Sequence, residues 1–175
     1  MRNVNWSNVE EPKEYKKVAP GGYICKIVKV EDVEDKEYLK IYYDIAQGEF
    51  KDYYKDLNES KGFWAGNFIR SYKQTAETFF KGFLTALENS NDNFTVNGFT
   101  GDINSLKGKL IGLVLAEEEY PANDGTIKTR LYVSSNRSIE SIRKTDFEIP
   151  AKKKVDVDQV GFVPVSLSDV DELPF

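Results

Sequence analysis

The feature that most constrains the fold is one segment, residues 71–89, with the periodicity of an amphipathic α-helix. Its apolar side chains recur at the spacing of one helical face. They are Tyr72, Ala76, Phe79, Phe80, Phe83, Leu84 and Leu87. Ser71 and Gln74 fit a capping box at its start, and the polar run 89–93 ends it. We predict one long helix with a buried stripe made of Phe79, Phe80, Phe83, Leu84 and Leu87.

The segments on either side of this helix have the alternation and composition of β-strands. Three such runs precede it, at 23–30, 38–46 and 50–57, and two follow it, at 108–117 and 127–134. Residues 138–144 fit a short helical turn. Three strands, a helix and two strands is the sequential plan of an OB-fold, a five-stranded β-barrel, and many α+β folds share this plan. We predict a mainly β protein with the OB-fold, in which one amphipathic helix between strands 3 and 4 closes the bottom of the barrel.

The charges divide the chain into a body and a tail. Residues 155–175 contain five acidic residues and no Lys or Arg, so the net charge of −5 lies entirely there. Within the balanced body, residues 128–154 hold eight basic residues against three acidic ones, a local field that favours polyanions. We predict an N-terminal arm over 1–20 that contains Trp6, an OB-fold domain over 21–154, and a disordered acidic tail over 155–175.

The residue types that are missing exclude several kinds of catalytic site. The chain has no histidine and one cysteine, which excludes Ser–His and Cys–His couples and sites that hold a metal through imidazole or several thiolates. Phosphate-binding glycine motifs are absent as well. We therefore expect no enzyme activity and no cofactor or metal. Apolar runs too short for a membrane helix, a start unlike a signal peptide and a single cysteine predict a cytoplasmic protein.

Two of the predicted strands have one apolar face and one face that mixes aromatic with basic side chains. Side chains alternate between the two faces of a strand. The mixed faces carry Tyr38, Lys40 and Tyr42 in the second strand and Lys128, Arg130 and Tyr132 in the fifth. Rings that stack on bases and cations that follow phosphates are typical of single-stranded nucleic-acid surfaces, although solvated strands use the same residues. Three further basic residues rank second as candidates: Arg70 and Lys73, beside the predicted helix start, and Arg137.

Two other functions stay open from these residues. Glu117, Glu119 and Asp124, at the last predicted hairpin, are oxygen ligands of the type that Mg²⁺ prefers, as in a Mg²⁺-dependent nuclease or recombination factor. A solvated hairpin loop explains the same carboxylates. The second alternative is an OB-like adaptor that binds only proteins through its tail.

The end of the tail, residues 168–175, closely resembles the C-terminal tip of bacterial single-stranded DNA-binding proteins. In both, acidic residues lead to an aliphatic residue, Pro and Phe. The resemblance implies a tip that binds replication, recombination or repair proteins through Asp169, Asp171, Glu172, Leu173, Pro174 and Phe175. In such a tip the ring enters an apolar pocket while the carboxylates pair with basic residues around it.

The body resembles a family of small proteins from phages and prophages of Gram-positive bacteria, which are understood as phage single-stranded DNA-binding proteins. The likeness covers about residues 4–150 and is carried by FWAGNFIRSYK at 63–73, FFKGF at 79–83, LKGK at 106–109 and EEEY at 117–120. It implies an OB-fold that coats single-stranded DNA during replication or recombination in a bacterial host cell. The tetramer that is typical of bacterial single-stranded DNA-binding proteins is not implied, because the body shares no motif with those proteins. Whether the chain forms a homo-oligomer stays open.

Overall fold

The computed structural model describes residues 2–11 and 16–156, and this part of the chain forms five β-strands and three α-helices. The strands are β1 (Gly21–Val33), β2 (Tyr38–Ile45), β3 (Asn67–Ser71), β4 (Leu110–Pro121) and β5 (Ile127–Arg137). The helices are α1 (Tyr53–Lys61), α2 (Glu77–Glu88) and α3 (Ile139–Arg143). Short 3₁₀ turns lie at Trp6–Asn8, Glu34–Lys36, Gln74–Ala76 and Ile103–Leu106. Among the described helices, none has the length and apolar content that a membrane span needs.

The five strands form one antiparallel sheet in the order β3-β2-β1-β4-β5. β1 lies at the centre, and β3 and β5 are the two edges. The prediction of a mainly β protein with five strands and a helix between the third and fourth strands is confirmed. The sheet is open: no strand pairing joins β3 to β5 in the described residues. A side-chain hydrogen bond of 2.6 Å, from Arg70 Nη2 to Asn136 Oδ1, links these two edge strands.

Alternation along β2 separates a buried face from an outer face. The buried face consists of Leu39, Ile41, Tyr43 and Ile45, each at most 3% exposed. The outer face carries Tyr38, Lys40 and Tyr42, which are half-buried. α2 packs against the buried side of the sheet, where the ring of Phe83 meets that of Phe68 edge-on with 6.2 Å between centroids. The core thus lies between α2 and the inner face of the sheet.

The predicted third strand over 50–57 is wrong, because this segment turns and enters α1. The buried carboxylate of Asp44, near the end of β2, accepts the backbone N–H groups of Tyr54 (2.9 Å) and Lys55 (3.0 Å). These are N–H groups of the first helical turn, which have no partner inside a helix. Asp44 therefore caps α1 from a distant position in the sequence, and the third strand is β3 instead.

The predicted helix over 71–89 is shorter than its periodicity suggests. Ser71 is the last residue of β3, Gln74 opens a 3₁₀ turn, and α2 begins at Glu77, so the predicted capping box does not form. Phe83, Leu84 and Leu87 are buried as expected. Phe79 was expected in the core and is 77% exposed, because it lies at the margin of the apolar stripe, beyond the edge of the sheet.

The short helix α3 confirms the helical turn predicted over 138–144 and covers the outer face of β1 and β4. Gly112 of β4 allows this close approach: a Cβ there would lie 2.5 Å from Ile142 Cγ1 and 2.8 Å from the carbonyl oxygen of Ser138. The chain then returns to β4, where Lys153 forms a parallel bridge with Glu118. The acidic tail begins at this bridge, and its residues 157–175 lie outside the described part of the chain.

Candidate nucleic-acid interface

The outer face of β2 presents an aromatic ring between two cations. Lys40 Nζ lies 5.2 Å and Lys29 Nζ 5.3 Å from the centroid of the Tyr42 ring. Lys29 is on this face because it pairs directly with Tyr42 across β1 and β2. A half-buried ring with two ammonium groups close to it combines a stacking surface with phosphate contacts.

One carboxylate, that of Glu31, lies among these cations. It pairs with Lys29 and accepts a hydrogen bond of 3.0 Å from the Tyr42 hydroxyl. The hydrogen bond from Lys29, followed by that from Tyr42, lowers the pKa of Glu31 below its usual range. The carboxylate is therefore ionised at neutral pH, and the cluster of Lys29, Lys40 and Glu31 keeps one net positive charge.

The outer face continues from β2 onto β3. Lys40 pairs with Ile69, and Tyr38 pairs with Ser71, so both β3 side chains lie on the same face as the β2 candidates. Ile69 is half exposed. Both Ile69 and Ser71 also line a groove of about 520 Å³, which we call the seam groove. It lies between β3, β5 and the first half of α2.

Arg70 is the charged residue of the seam groove. Arg70 pairs with Leu39 across β2 and β3, and its guanidinium lies 4.7 Å from the centroid of the Phe68 ring. Its hydrogen bonds go to two neutral acceptors, Asn136 Oδ1 (2.6 Å) and the carbonyl of Ile69 (2.8 Å). Burial lowers the pKa of Arg70 to about 10. Within the described residues no carboxylate forms an ion pair with it, so this cation is available to an anion that enters the groove.

Phe79 is an aromatic residue of this groove that the sequence-based prediction places in the core and does not include among the binding residues. Its exposed ring lines the groove together with hydroxyl and amide side chains from Ser71, Thr78, Ser135 and Asn136. The helical periodicity marked Phe79 as apolar but did not show where the sheet ends. The groove thus combines a half-buried cation, neutral hydrogen-bonding groups and an exposed aromatic ring.

The candidates on β5 also share one outer face, but they contact other side chains of the protein. Arg130 Nε lies 2.8 Å from Glu118 Oε1, and the guanidinium stacks on Tyr120 at 4.7 Å. Lys128 lies 3.5 Å from Asp124. The Tyr132 ring has Lys153 Nζ at 4.2 Å from its centroid. Acids on β4 and in the hairpin loop therefore neutralise much of the charge predicted for this face.

The structure does not bring all nine body candidates into one contact network. β1 and β4 separate β2 from β5 within the sheet. The prediction places Arg70 beside the start of the helix, but Arg70 lies within β3. Lys73 precedes the 3₁₀ turn that leads to α2. Arg137 ends β5 opposite Gly112. The seam groove is lined by residues of both edge strands, among them Ser134, Ser135 and Asn136 of β5.

The carboxylates considered for Mg²⁺ lie along the β4–β5 hairpin. Glu119 pairs with Lys152 at 3.5 Å and also accepts the Val155 N–H, and Asp124 accepts hydrogen bonds from Thr126. Among residues 2–11 and 16–156, no group of three or more Cys, Asp or Glu is arranged to hold a metal ion. The candidate tail residues, Asp169 to Phe175, lie outside the described residues.

No protein-family model matches the chain, and no curated protein matches it in sequence. The resemblance to phage single-stranded DNA-binding proteins therefore stays a prediction.

Proposed function

We propose that the chain is a single-stranded DNA-binding protein built on an OB-fold. The strand order β3-β2-β1-β4-β5 is the order of an OB barrel whose β3–β5 pair is unformed, and OB-folds are often partly open barrels. The link between Arg70 and Asn136 draws these two edges together. α2 packs on the inner side of the sheet, as expected for the helix of such a barrel.

The observation that carries the proposal is a continuous surface from β2 over β3 into the seam groove. It begins at Tyr42 and Lys40, passes Ile69, and reaches Arg70 and Phe79. Bases stack on such rings with about 1–3 kcal/mol each, largely without regard to sequence. The cations contact successive phosphates. This composition supports sequence-tolerant binding of an extended single strand.

The biological setting follows from the sequence resemblance. The protein would coat single strands during phage replication or recombination, in the cytoplasm of a bacterial host. Its acidic tip, residues 168–175, would bind replication, recombination or repair proteins without covering the nucleic-acid surface. Such recruitment requires no chemistry by the chain itself.

The test is a titration of the full chain with fluorescent oligo-dT of graded length, with and without Mg²⁺. Retardation of intact oligonucleotide supports the proposal. Cleavage that depends on Mg²⁺ indicates a nuclease instead. If the oligonucleotide is neither retarded nor cleaved under any condition, the result supports the protein-only adaptor. An RNA oligonucleotide of matched length in a parallel titration measures the preference for DNA.

A pair of aromatic variants locates the surface. Phe79→Ala removes an exposed groove ring, so we expect about a tenfold loss of oligo-dT affinity with an unchanged melting temperature. Phe63→Ala is the control, because Phe63 is also exposed but does not line the groove. Equal affinities for the two variants would place the binding surface elsewhere.

A further inference from the structure

A second cavity, of about 570 Å³, lies beside Phe80, the neighbour of Phe79 on α2. It forms where the connection between β1 and β2 meets α2 and the 3₁₀ turn that starts at Ile103. Its apolar surface comes from Leu39, Phe80, Phe99 and Ile103. Its rim carries three carboxylates, those of Asp32, Glu34 and Glu37, and the Tyr72 hydroxyl. We call this cavity the acidic pocket.

No cation of the described chain balances these carboxylates. Neither Lys nor Arg is found among the residues that line the pocket, and the ion pairs of the described residues include none of the three acids. Lys36 lies between Glu34 and Glu37 in the sequence but does not line the pocket. The rim is therefore negative where it faces an incoming ligand.

The tyrosine on the rim reports the same negative field. The Tyr72 hydroxyl donates a hydrogen bond of 2.8 Å to Asp32. That hydrogen bond, then desolvation of the hydroxyl, and then the charges of Asp32, Glu34 and Glu37 raise the pKa of Tyr72 to about 12. The hydroxyl thus stays protonated and donates to Asp32, and both residues line the pocket.

The interior of the acidic pocket suits a bulky apolar side chain. The rings of Tyr72 and Phe80 meet edge-on at 6.3 Å, and Phe99 packs against Phe94 at 6.1 Å, so the aromatic walls are held in place. A volume of this size is within the range of about 300–1,000 Å³ that is typical of ligand pockets. An occupant needs an apolar group for these walls and positive charge for the rim. A phosphate backbone would be repelled by the same rim.

We propose that the acidic pocket binds a basic peptide segment of a protein partner. An aromatic or aliphatic side chain of the peptide packs on Phe80 and Phe99, and flanking Lys or Arg residues pair with Asp32, Glu34 and Glu37. The pocket and the seam groove have opposite charge, so a peptide and a nucleic acid select different sites. The proposal does not depend on binding of DNA by the rest of the protein.

The test uses ¹⁵N-labelled full chain and three capped peptides, Gly-Lys-Trp-Lys-Gly, Gly-Lys-Ala-Lys-Gly and Gly-Glu-Trp-Glu-Gly. We expect the Lys-Trp-Lys peptide to shift the amide signals of Tyr72, Phe99 and Gly101. The peptide without the aromatic ring should bind at least about tenfold more weakly, since it lacks the apolar anchor. The acidic peptide should not bind.

A triple variant with Asp32→Asn, Glu34→Gln and Glu37→Asn removes the rim charge. Asn suits position 37 because Glu37 has a positive φ of 55°, which Asn adopts more readily than most residues. We expect at least about a fivefold loss of affinity for the Lys-Trp-Lys peptide. The matched control, Glu10→Gln with Asp56→Asn and Glu59→Gln, removes the same charge away from the pocket and should bind like the wild type.

Equal affinity of the triple variant and the wild type would overturn the proposal, as would equal binding of the acidic peptide or signal shifts confined to other residues. Oligo-dT is titrated into the same samples. If the wild type binds the Lys-Trp-Lys peptide but not oligo-dT, the result counts against the nucleic-acid proposal alone. If it binds oligo-dT but not the peptide, the result counts against the peptide site alone.

Discussion

Arg70 on β3 and Asn136 on β5 are joined by a hydrogen bond of 2.6 Å across the open side of the sheet. In a closed barrel, backbone hydrogen bonds would join β3 to β5. Here a side-chain hydrogen bond joins these two strands. The guanidinium is half-buried, its two acceptors are neutral, and no carboxylate of the described residues pairs with it, so its positive charge is not neutralised within the described chain. The same residue therefore holds the two edges together and makes the seam groove cationic.

Arg70→Gln should separate nucleic-acid binding from stability. Loss of one phosphate contact should reduce oligo-dT affinity by about tenfold and lower the slope of log affinity against log salt by about 0.7. The melting temperature should fall only slightly, because removal of a half-buried cation without an ionic partner partly offsets the lost hydrogen bonds. Salt titrations and thermal unfolding of the same variant measure the two effects.

The control for this prediction is Arg143→Gln, since Arg143 is an exposed residue of α3 that does not line the groove. It should change oligo-dT affinity less than Arg70→Gln does. A normal salt slope in the Arg70→Gln protein would show that this guanidinium contacts no phosphate.

Asp44→Ala should unfold the start of α1 and destabilise the whole protein. It removes the acceptor for the N–H groups of Tyr54 and Lys55, at an expected cost of about 2–3 kcal/mol in the free energy of unfolding. Urea denaturation gives this value, and hydrogen exchange of the two amides shows where protection is lost. Asp52→Asn is the control: Asp52 directly precedes α1 but makes no side-chain capping bond, so its replacement should be nearly neutral.

Asp44 also gives stability a pH dependence of defined sign. Burial raises its pKa above the usual 3.8, an effect larger than the opposing effect of its hydrogen bonds to backbone N–H groups. The folded state therefore holds this proton to higher pH than the unfolded state, and the contribution of Asp44 to stability falls as pH rises from 3.8 through the folded-state pKa. Urea unfolding from about pH 3 to about pH 7 should show that the free energy of unfolding of the wild type, minus that of Asp44→Asn, falls as pH rises. A rise of this wild-type-minus-variant value with pH would contradict the raised pKa of Asp44.

The elements that were predictable are those specified by short-range periodicity. Alternation along β2 distinguishes Leu39 and Ile41 from Lys40 and Tyr42 without any tertiary information, and the stripe of α2 likewise identifies Phe83 and Leu87. Chain order then limits the arrangement to a few topologies, so the mainly β architecture with a helix between the third and fourth strands follows from these patterns.

What could not be predicted depends on contacts between distant residues. Asp44 caps a helix that begins nine positions later, and the local pattern of residues 50–57, which contain the start of this helix, is that of a strand. The exposure of Phe79 depends on where the sheet ends, and the ion pair of Arg130 with Glu118 depends on the register of β4 and β5. The seam groove exists only because two edge strands approach each other, which no local pattern encodes.

Tyr42 is the sharpest test of the outer face of β2. Its ring lies between Lys29 and Lys40 on the side of the strand away from the core, so Tyr42→Ala should weaken oligo-dT binding by about 1–3 kcal/mol and leave the melting temperature nearly unchanged. Tyr42→Phe keeps the stacking surface and removes only the hydrogen bond to Glu31, so it should bind like the wild type. Tyr43→Ala provides the opposite control: its ring is buried, and its loss should lower the melting temperature sharply. If Tyr42→Ala binds oligo-dT with wild-type affinity while folded, nucleic acid does not use this face.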